Sequence, residues 1–311
     1  MTGENVNTVQ HPTLELSSLD NLWFQVAGTL CNLKCNHCFI SCSPTNDKFG
    51  MLSLSTVERT LEESVKYGVK EYYYTGGEPF MNAEIIPMLS ATLRYGPATV
   101  LTNAILISDD MTEQLADIEA SSSYSLEIRV SLDGFTPEMN DPIRGHNTFK
   151  RTVDGIRRLV KVGFLPIITA VKTWDDDRDL EVIGGFLQQM LDIGYSRPRL
   201  KLIPTLRIGA EPQRTHGYLE GEEITLDMMD GYDASQLICS NSRIMTDKGL
   251  YVCPILIDAD DAKLGETLED GLKPYELKHR ACYTCYMSGA ICSNASSSGE
   301  KLFAEKLSAH Q

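Results

Sequence analysis

Two rhythms of apolar and polar positions run through the first 204 residues. Short runs rich in aliphatic, β-branched and aromatic residues, at 22–29, 71–75, 98–102, 126–131, 165–171 and 200–204, have the length and make-up of strands. Between them lie longer amphipathic stretches, at about 53–67, 111–120, 147–162 and 177–193. The first opens on the hydroxyls of Ser53, Ser55 and Thr56 and stops at Gly68. The third stops at Gly163; the fourth, with Asp177 placed to cap it, stops at Gly194. About six strands alternating with helices predict an α/β fold on a parallel sheet, its helices covering one or both faces. The alternation alone fits a partial barrel and a doubly wound sheet equally well.

After residue 204 the rhythm stops. Residues 205–235 are rich in Gly, Glu, Asp and Met and show no period. Cysteines return at Cys239, with a hairpin pattern at 247–252 and a helical stretch near 268–277. The expected organisation is an N-terminal extension (1–21), a β/α core (22–205), a linker (206–235), a small metal-stabilised cysteine-rich domain (236–298) and a tail (299–311).

Composition narrows the partners. The 311-residue chain is 42% hydrophobic, enough for a large core, and carries a formal net charge of −15. That charge repels phosphate backbones and anionic lipid surfaces, so neither a nucleic acid nor a membrane is an expected partner. No apolar run has the roughly 18 residues needed to span a bilayer. The first 20 residues are polar and lack a signal-peptide core, which makes a cytoplasmic location the expectation. There are nine cysteines, an odd number, in tight groups. In a reducing compartment such groups read as metal ligands.

The first group is Cys31-Asn32-Leu33-Lys34-Cys35-Asn36-His37-Cys38, just after the first strand. Three thiolates within eight residues grip one face of a [4Fe–4S] cubane and leave its fourth iron open to another ligand. A zinc site completed by His37 or Cys42 is the alternative. In the second group, Cys239, Cys253 (followed by Pro254), Cys282 and Cys285 supply four thiolates, enough to close either a [4Fe–4S] cluster or a zinc. Cys292 is spare, or substitutes for one of the four.

The C-x3-C-x2-C spacing resembles the signature of the radical S-adenosylmethionine (SAM) superfamily, and companion motifs follow in order. Gly76-Gly77-Glu78-Pro79 resembles the family's GGEP, whose backbone and acid contact the methionyl amino group of SAM. Thr102-Asn103-Ala104 resembles a Thr-Asn-Gly element, with Ala104 in place of glycine. Ser131-Leu132-Asp133-Gly134 resembles a Ser-Leu-Asp-Gly element common in the branch with extra clusters. By this likeness Ser131 helps to hold SAM, Asp133 shapes the pocket, Arg144 pairs with the SAM carboxylate, and the backbone at His37 lies near adenine. A guanidinium fork suits a carboxylate. All these residues fall at or beyond the carboxyl ends of strands, where parallel β/α folds bind ligands. The resemblance implies a partial (β/α)6 barrel. The C-terminal group is similar to the twitch or SPASM appendage, and its five cysteines imply one auxiliary [4Fe–4S] cluster.

What the resemblance implies chemically is reductive cleavage of SAM on the open iron. The 5′-deoxyadenosyl radical so formed abstracts hydrogen from a substrate, with the auxiliary cluster taking up an electron in an oxidation. A flavodoxin or ferredoxin would supply the first electron. The 21 residues before the first strand are short for a leader-recognition domain, which favours a small polar metabolite over a peptide. A peptide maturase is the alternative. Epimerisation, with Cys292 or Cys42 as hydrogen donor, is a further variant. A rival of another class is a non-catalytic iron–sulfur or zinc protein, which would bind no SAM.

Overall fold

The computed structural model describes residues 9–289; Cys292 and the tail expected at 299–311 lie outside the described residues. After β1 (Thr13–Leu14) and β2 (Asn21–Gln25), a long loop leads to α1 (Leu54–Tyr67). β3 (Glu71–Thr75), α2 (Ile85–Thr92), β4 (Ala98–Thr102), α3 (Asp109–Ala120) and β5 (Leu126–Ser131) follow. Then come α4 (Pro137–Arg144), α5 (Thr148–Lys161), β6 (Ile167–Val171), α6 (Asp179–Asp192) and β7 (Arg199–Ile203). The remaining chain is irregular. It holds the short α7 (Pro212–Thr215), the hairpin of β8 (Ser242–Thr246) and β9 (Gly249–Tyr251), β10 (Lys263–Gly265), β11 (Tyr275–Glu276) and α8 (Arg280–Ser288).

β2 to β7 pair in parallel in chain order. The full sheet runs β10-β9-β8-β2-β3-β4-β5-β6-β7 and stays open between its ends. This is the partial (β/α)6 barrel that the motifs imply, and it breaks the tie left by the alternation. Successive strand residues point to opposite faces. Leu22, Phe24, Tyr72, Tyr74, Val100, Ile128 and Ile168 pack outward against Val57, Leu61, Met88, Leu115, Ile156 and Phe186 of the helices. The alternate residues Trp23 and Tyr73 face the other way, into a second core with Cys31, Leu33, Ile244 and Val252. Burial on both faces is why these strands read as nearly unbroken apolar runs.

Several helix ends fall where the capping residues predict. Ser53 accepts a hydrogen bond from the Thr56 backbone at 3.2 Å, and Gly68 takes φ 68° at the end of α1. α6 differs. Asp177 lies in a 3-10 turn spanning Asp176–Arg178, and the helix proper starts at Asp179. Arg178 holds the N-cap position with no side-chain cap, and Lys172 pairs with Asp176 and Asp179 on either side of the turn.

The C-terminal segment departs further from expectation. The helix expected near 268–277 is a 3-10 turn, Glu269–Leu272, followed by β11. Pro274 disfavours helical backbone at Lys273 and removes a donor. β11 pairs with β1, so part of the N-terminal extension is stitched to the C-terminal segment. Ser17 N donates to Ser240 O at 2.7 Å on the same seam. β8 pairs in parallel with β2, register Leu22 to Arg243, and so extends the core sheet. Among the described residues, no helix is long and apolar enough to cross a membrane.

Candidate active site

The turn after β2 carries the cysteine loop, and the end of β3 lies directly against it. Gly77 N donates to Gly28 O at 2.9 Å, and Glu78 N to Leu30 O at 3.0 Å. A side chain at Gly77 would put Cβ 1.8 Å from Leu30 O; Gly76 has φ 148°. The two glycines are therefore demanded by the close passage of the cysteine loop as well as by any ligand.

Glu78 is buried behind this junction. Its carboxylate accepts from Thr102 Oγ1 at 2.6 Å, Asn103 N at 2.8 Å and Phe80 N at 3.2 Å. It thus fixes the end of β4 and does not line the cavity in front of the cysteines. Burial pushes its pKa up to about 6, against the pull of those hydrogen bonds. Asn103, held this way, donates through Nδ2 to Asn32 Oδ1 at 2.8 Å and points at Cys31 Sγ at 3.9 Å. Ala104, the departure from the family's glycine, sits at φ 60°, the left-handed region that favours glycine.

Asp133 is also fully buried, beyond the end of β5. His37 Nε2 donates to its Oδ2 at 2.6 Å, Arg144 Nε lies 2.6 Å from the same oxygen, and Val171 N donates to Oδ1 at 2.8 Å. Burial alone would raise the Asp133 pKa. The charges of Arg144 and His37 outweigh it and hold the carboxyl well below the usual carboxylate range. His37, expected only to lend its backbone, is tied to the far side of the site through its ring.

Cys31, Cys35, Cys38, His37, Gly76, Gly77, Asn103, Ser131 and Arg144 line one cavity of about 220 Å³. Of the residues singled out in the core, only Glu78 and Asp133 stand behind its wall. The cavity also takes in Cys42, which the sequence offered as an alternative zinc ligand or hydrogen donor, and Trp23, Arg129 and Thr169, which sequence reasoning did not place at the site. The one available signal was Arg129, a charged residue flanked by the apolar Ile128 and Val130 of β5.

The cysteine loop suits a thiolate-bound cluster. N–H groups are aimed at the sulfurs: Leu33 N at Cys31 Sγ (3.4 Å) and Cys42 N at Cys38 Sγ (3.2 Å). The Cys42 side chain also donates to Cys38, which lowers the Cys38 pKa to about 6 despite burial. Burial raises Cys31 to about 12 and Cys35 to about 11. Among the described residues, no three His, Cys, Asp or Glu side chains converge as they would on a single metal ion. The loop's three thiols share a cavity wall instead.

A second pocket, small and apolar, is walled by Cys239, Cys253, Cys282 and Cys285 with Leu237, Ile238, Val252 and Leu277. Burial, with Cys253 nearby, raises the Cys239 thiol to about 12, and burial also raises Cys253 and Cys282. Four cysteines around one pocket are the number that closes a [4Fe–4S] cluster or a zinc, and binding either would displace their protons. Arg243, fully buried, donates to the carbonyls of Cys239 (2.7 Å), Ser242 (2.7 Å) and Gly271 (2.8 Å) beside this pocket.

A parallel β/α barrel with three clustered thiols and two glycines at the carboxyl ends of its strands defines a class. The chain belongs to the radical SAM superfamily, whose sequence model matches residues 26–182. The cofactors of that class are SAM and a [4Fe–4S] cluster.

Among particular proteins it is similar to mycofactocin maturase MftC of Mycobacterium ulcerans, 30% identical over 135 residues, 43% of this chain and 35% of the relative. It is also similar to GTP 3′,8-cyclase of Clostridium acetobutylicum, 25% identical over 155 residues, 49% of this chain and 47% of the relative. The match thus spans between a third and a half of these relatives' own length. The fold is similar to that of Streptococcus suis SuiB bound to S-adenosylmethionine. The TM-score is 0.61 and the identity 18%, covering 80% of this chain and 63% of SuiB.

Proposed function

We propose that the protein is a radical SAM enzyme that modifies a peptide. The carrying observation is that the cysteine loop, the glycine pair, Asn103, Ser131 and Arg144 open onto one cavity. The peptide reading, rather than the small metabolite expected from the sequence, is supported by two relatives. MftC is named a maturase, and SuiB is also seen bound to a precursor peptide, SuiA.

In this reading Cys31, Cys35 and Cys38 ligate the cluster, while the backbone at Gly76 and Gly77 receives the SAM ammonium. Asn103 and Ser131 bound the SAM shelf, and Arg144 offers its remaining guanidinium donors to the SAM carboxylate. Asp133 and Glu78 are positioning residues: one aims Arg144 and His37, the other fixes Asn103. When bound, the cluster and SAM supply the one-electron chemistry that yields a hydrogen-abstracting 5′-deoxyadenosyl radical. The apolar wall of Trp23, Leu33, Ile40, Leu101 and Leu206 excludes water from it. Residues 22–205 form the catalytic core, and 236–298 carry an auxiliary cluster on Cys239, Cys253, Cys282 and Cys285, joined by the linker at 206–235. The location is cytoplasmic, where flavodoxin or ferredoxin supplies electrons.

The test is anaerobic reconstitution followed by SAM and dithionite. Wild type forms 5′-deoxyadenosine, and the Cys31→Ala, Cys35→Ala, Cys38→Ala triple variant forms none. Retained cleavage in the triple variant would remove these cysteines from the site.

A further inference from the structure

Arg243 of β8 is 0% exposed, yet it carries a full charge. Its guanidinium donates to four backbone carbonyls: Nη1 to Cys239 and Ser242, each at 2.7 Å, Nε to Gly271 at 2.8 Å and Nη2 to Lys273 at 3.4 Å. Gly271 leaves room for this arrangement. A Cβ there would lie 3.3 Å from Arg243 Cγ and 2.6 Å from Leu250 Cδ2. The carbonyls satisfy the N–H groups but are neutral, so the charge itself stays uncompensated. A buried charge without a counter-charge is costly, and native proteins pair it. Among the described residues no carboxylate does so. Asp270, the acid next to Gly271 in the chain, is engaged by Thr267 Oγ1 at 3.0 Å and Lys273 Nζ at 3.4 Å.

The groups within reach that can carry negative charge are the thiols of the cysteine pocket. Arg243 Nη1 sits on the Cys239 carbonyl, and the carbonyl oxygen and sulfur of one cysteine lie within roughly 5 Å of each other. The guanidinium therefore stands within about 8 Å of that sulfur. Burial raises the Cys239 and Cys253 thiols, and the arginine's charge opposes the rise in both. Four thiolates on an oxidised [4Fe–4S] core leave a net dianion, and one added electron makes a trianion. We propose that Arg243 supplies the counter-charge of the auxiliary cluster and raises its reduction potential, so that the cluster takes up one electron more readily. Across such a distance in a poorly screened interior, one unit charge shifts the balance between two oxidation states by about 10-fold. The inference rests on the reading of Cys239, Cys253, Cys282 and Cys285 as ligands of that cluster.

The test uses the full chain carrying Cys31→Ala, Cys35→Ala and Cys38→Ala, so that the auxiliary cluster is the only one. After anaerobic reconstitution it is titrated potentiometrically, and the reduced cluster is read by electron paramagnetic resonance. Arg243→Gln removes the charge and keeps N–H donors; Arg243→Lys keeps the charge. At the wild-type midpoint the ratio of reduced to oxidised cluster is expected to fall about 10-fold in Arg243→Gln, a shift of about 59 mV to lower potential. In Arg243→Lys it should fall by less than about threefold. An unchanged midpoint in Arg243→Gln overturns the proposal. If Arg243→Gln assembles no cluster, Arg243→Lys carries the test. A lysine variant that assembles the cluster supports the role of charge; one that fails as the glutamine variant does overturns it, because the fork then serves the fold alone. Zinc in place of iron in this pocket overturns it too, and 5′-deoxyadenosine formed by the chain with Cys31, Cys35 and Cys38 intact would then keep the radical SAM reading. The expected shift in midpoint, with no SAM cleavage by that intact chain, keeps the role of Arg243 and removes the radical SAM reading.

Discussion

Glu78 shows what a buried acid does when its partners are neutral donors. Burial raises its pKa from an ordinary 4.5 to about 6, because its hydrogen bonds and the charge of Arg144 do not offset the lost water. The folded chain therefore holds the proton more tightly than the unfolded one. The stability this group contributes is full below about pH 4.5 and is lost as pH rises through about 6. The size is about 2 kcal/mol, from 1.36 kcal/mol per unit. Urea unfolding of the SAM-free, cluster-free protein from pH 4.5 to 7.5 should show wild type losing that much relative to Glu78→Gln. A constant difference across the range would mean that Glu78 stays ionised in the fold. The cysteines and glycines of this site were legible as spacing, since their chemistry needs neighbours in sequence. The use of Glu78 was not: its partners Thr102 and Asn103 are 24 and 25 residues away. His37 and Asp133, 96 residues apart, meet only because two strand ends do.

At the scale of elements, the strands of the core were the most legible feature. Strands β3, β4 and β5 fall at the expected bounds, because burial on both faces writes itself as an apolar run. α2 was hidden for the opposite reason to the usual one. Its sequence, Ile85-Ile86-Pro87-Met88-Leu89-Ser90-Ala91-Thr92, has too little polar contrast to show a stripe. α4 was hidden by Pro142 in its interior, which reads as a breaker. The packing of α5 on the end of β4 gives a prediction. Thr152 Oγ1 donates to Asn103 O at 3.0 Å, and a Cβ on Gly155 would lie 2.2 Å from Ala104 O. Gly155→Ala should force α5 away from the Asn103 turn at a cost of about 1–3 kcal/mol, the range for overpacking. SAM affinity, read by equilibrium dialysis, should fall with it. Unchanged stability and SAM affinity would mean that α5 does not hold this turn.

At the scale of the whole molecule, the described residues build one large open sheet with a cysteine pocket beside β8, and the join of β8 to β2 is invisible in sequence because the two lie about 220 residues apart. Besides the β1–β11 seam, three things bear on how the C-terminal segment is held there. β8 is bonded to β2 along four residue pairs. Arg243 on β8 ties down the carbonyls of Cys239 and Gly271. The four thiols would share a cluster. The first two need no metal, and the third would add metal bonds between thiols that already share one apolar core, Cys282 and Cys285 of α8 with Cys239 and Cys253. Full reconstitution should give about eight irons per chain, four at each cubane, and Cys253→Ala about four. In that variant amide exchange should speed up in α8 and β11, and in β1 that pairs with it, while β8 keeps its protection. Loss of protection in β8 as well would show that the cluster, rather than the strand pairing, holds the segment to the barrel. Eight irons retained in Cys253→Ala would remove that cysteine from the ligand set.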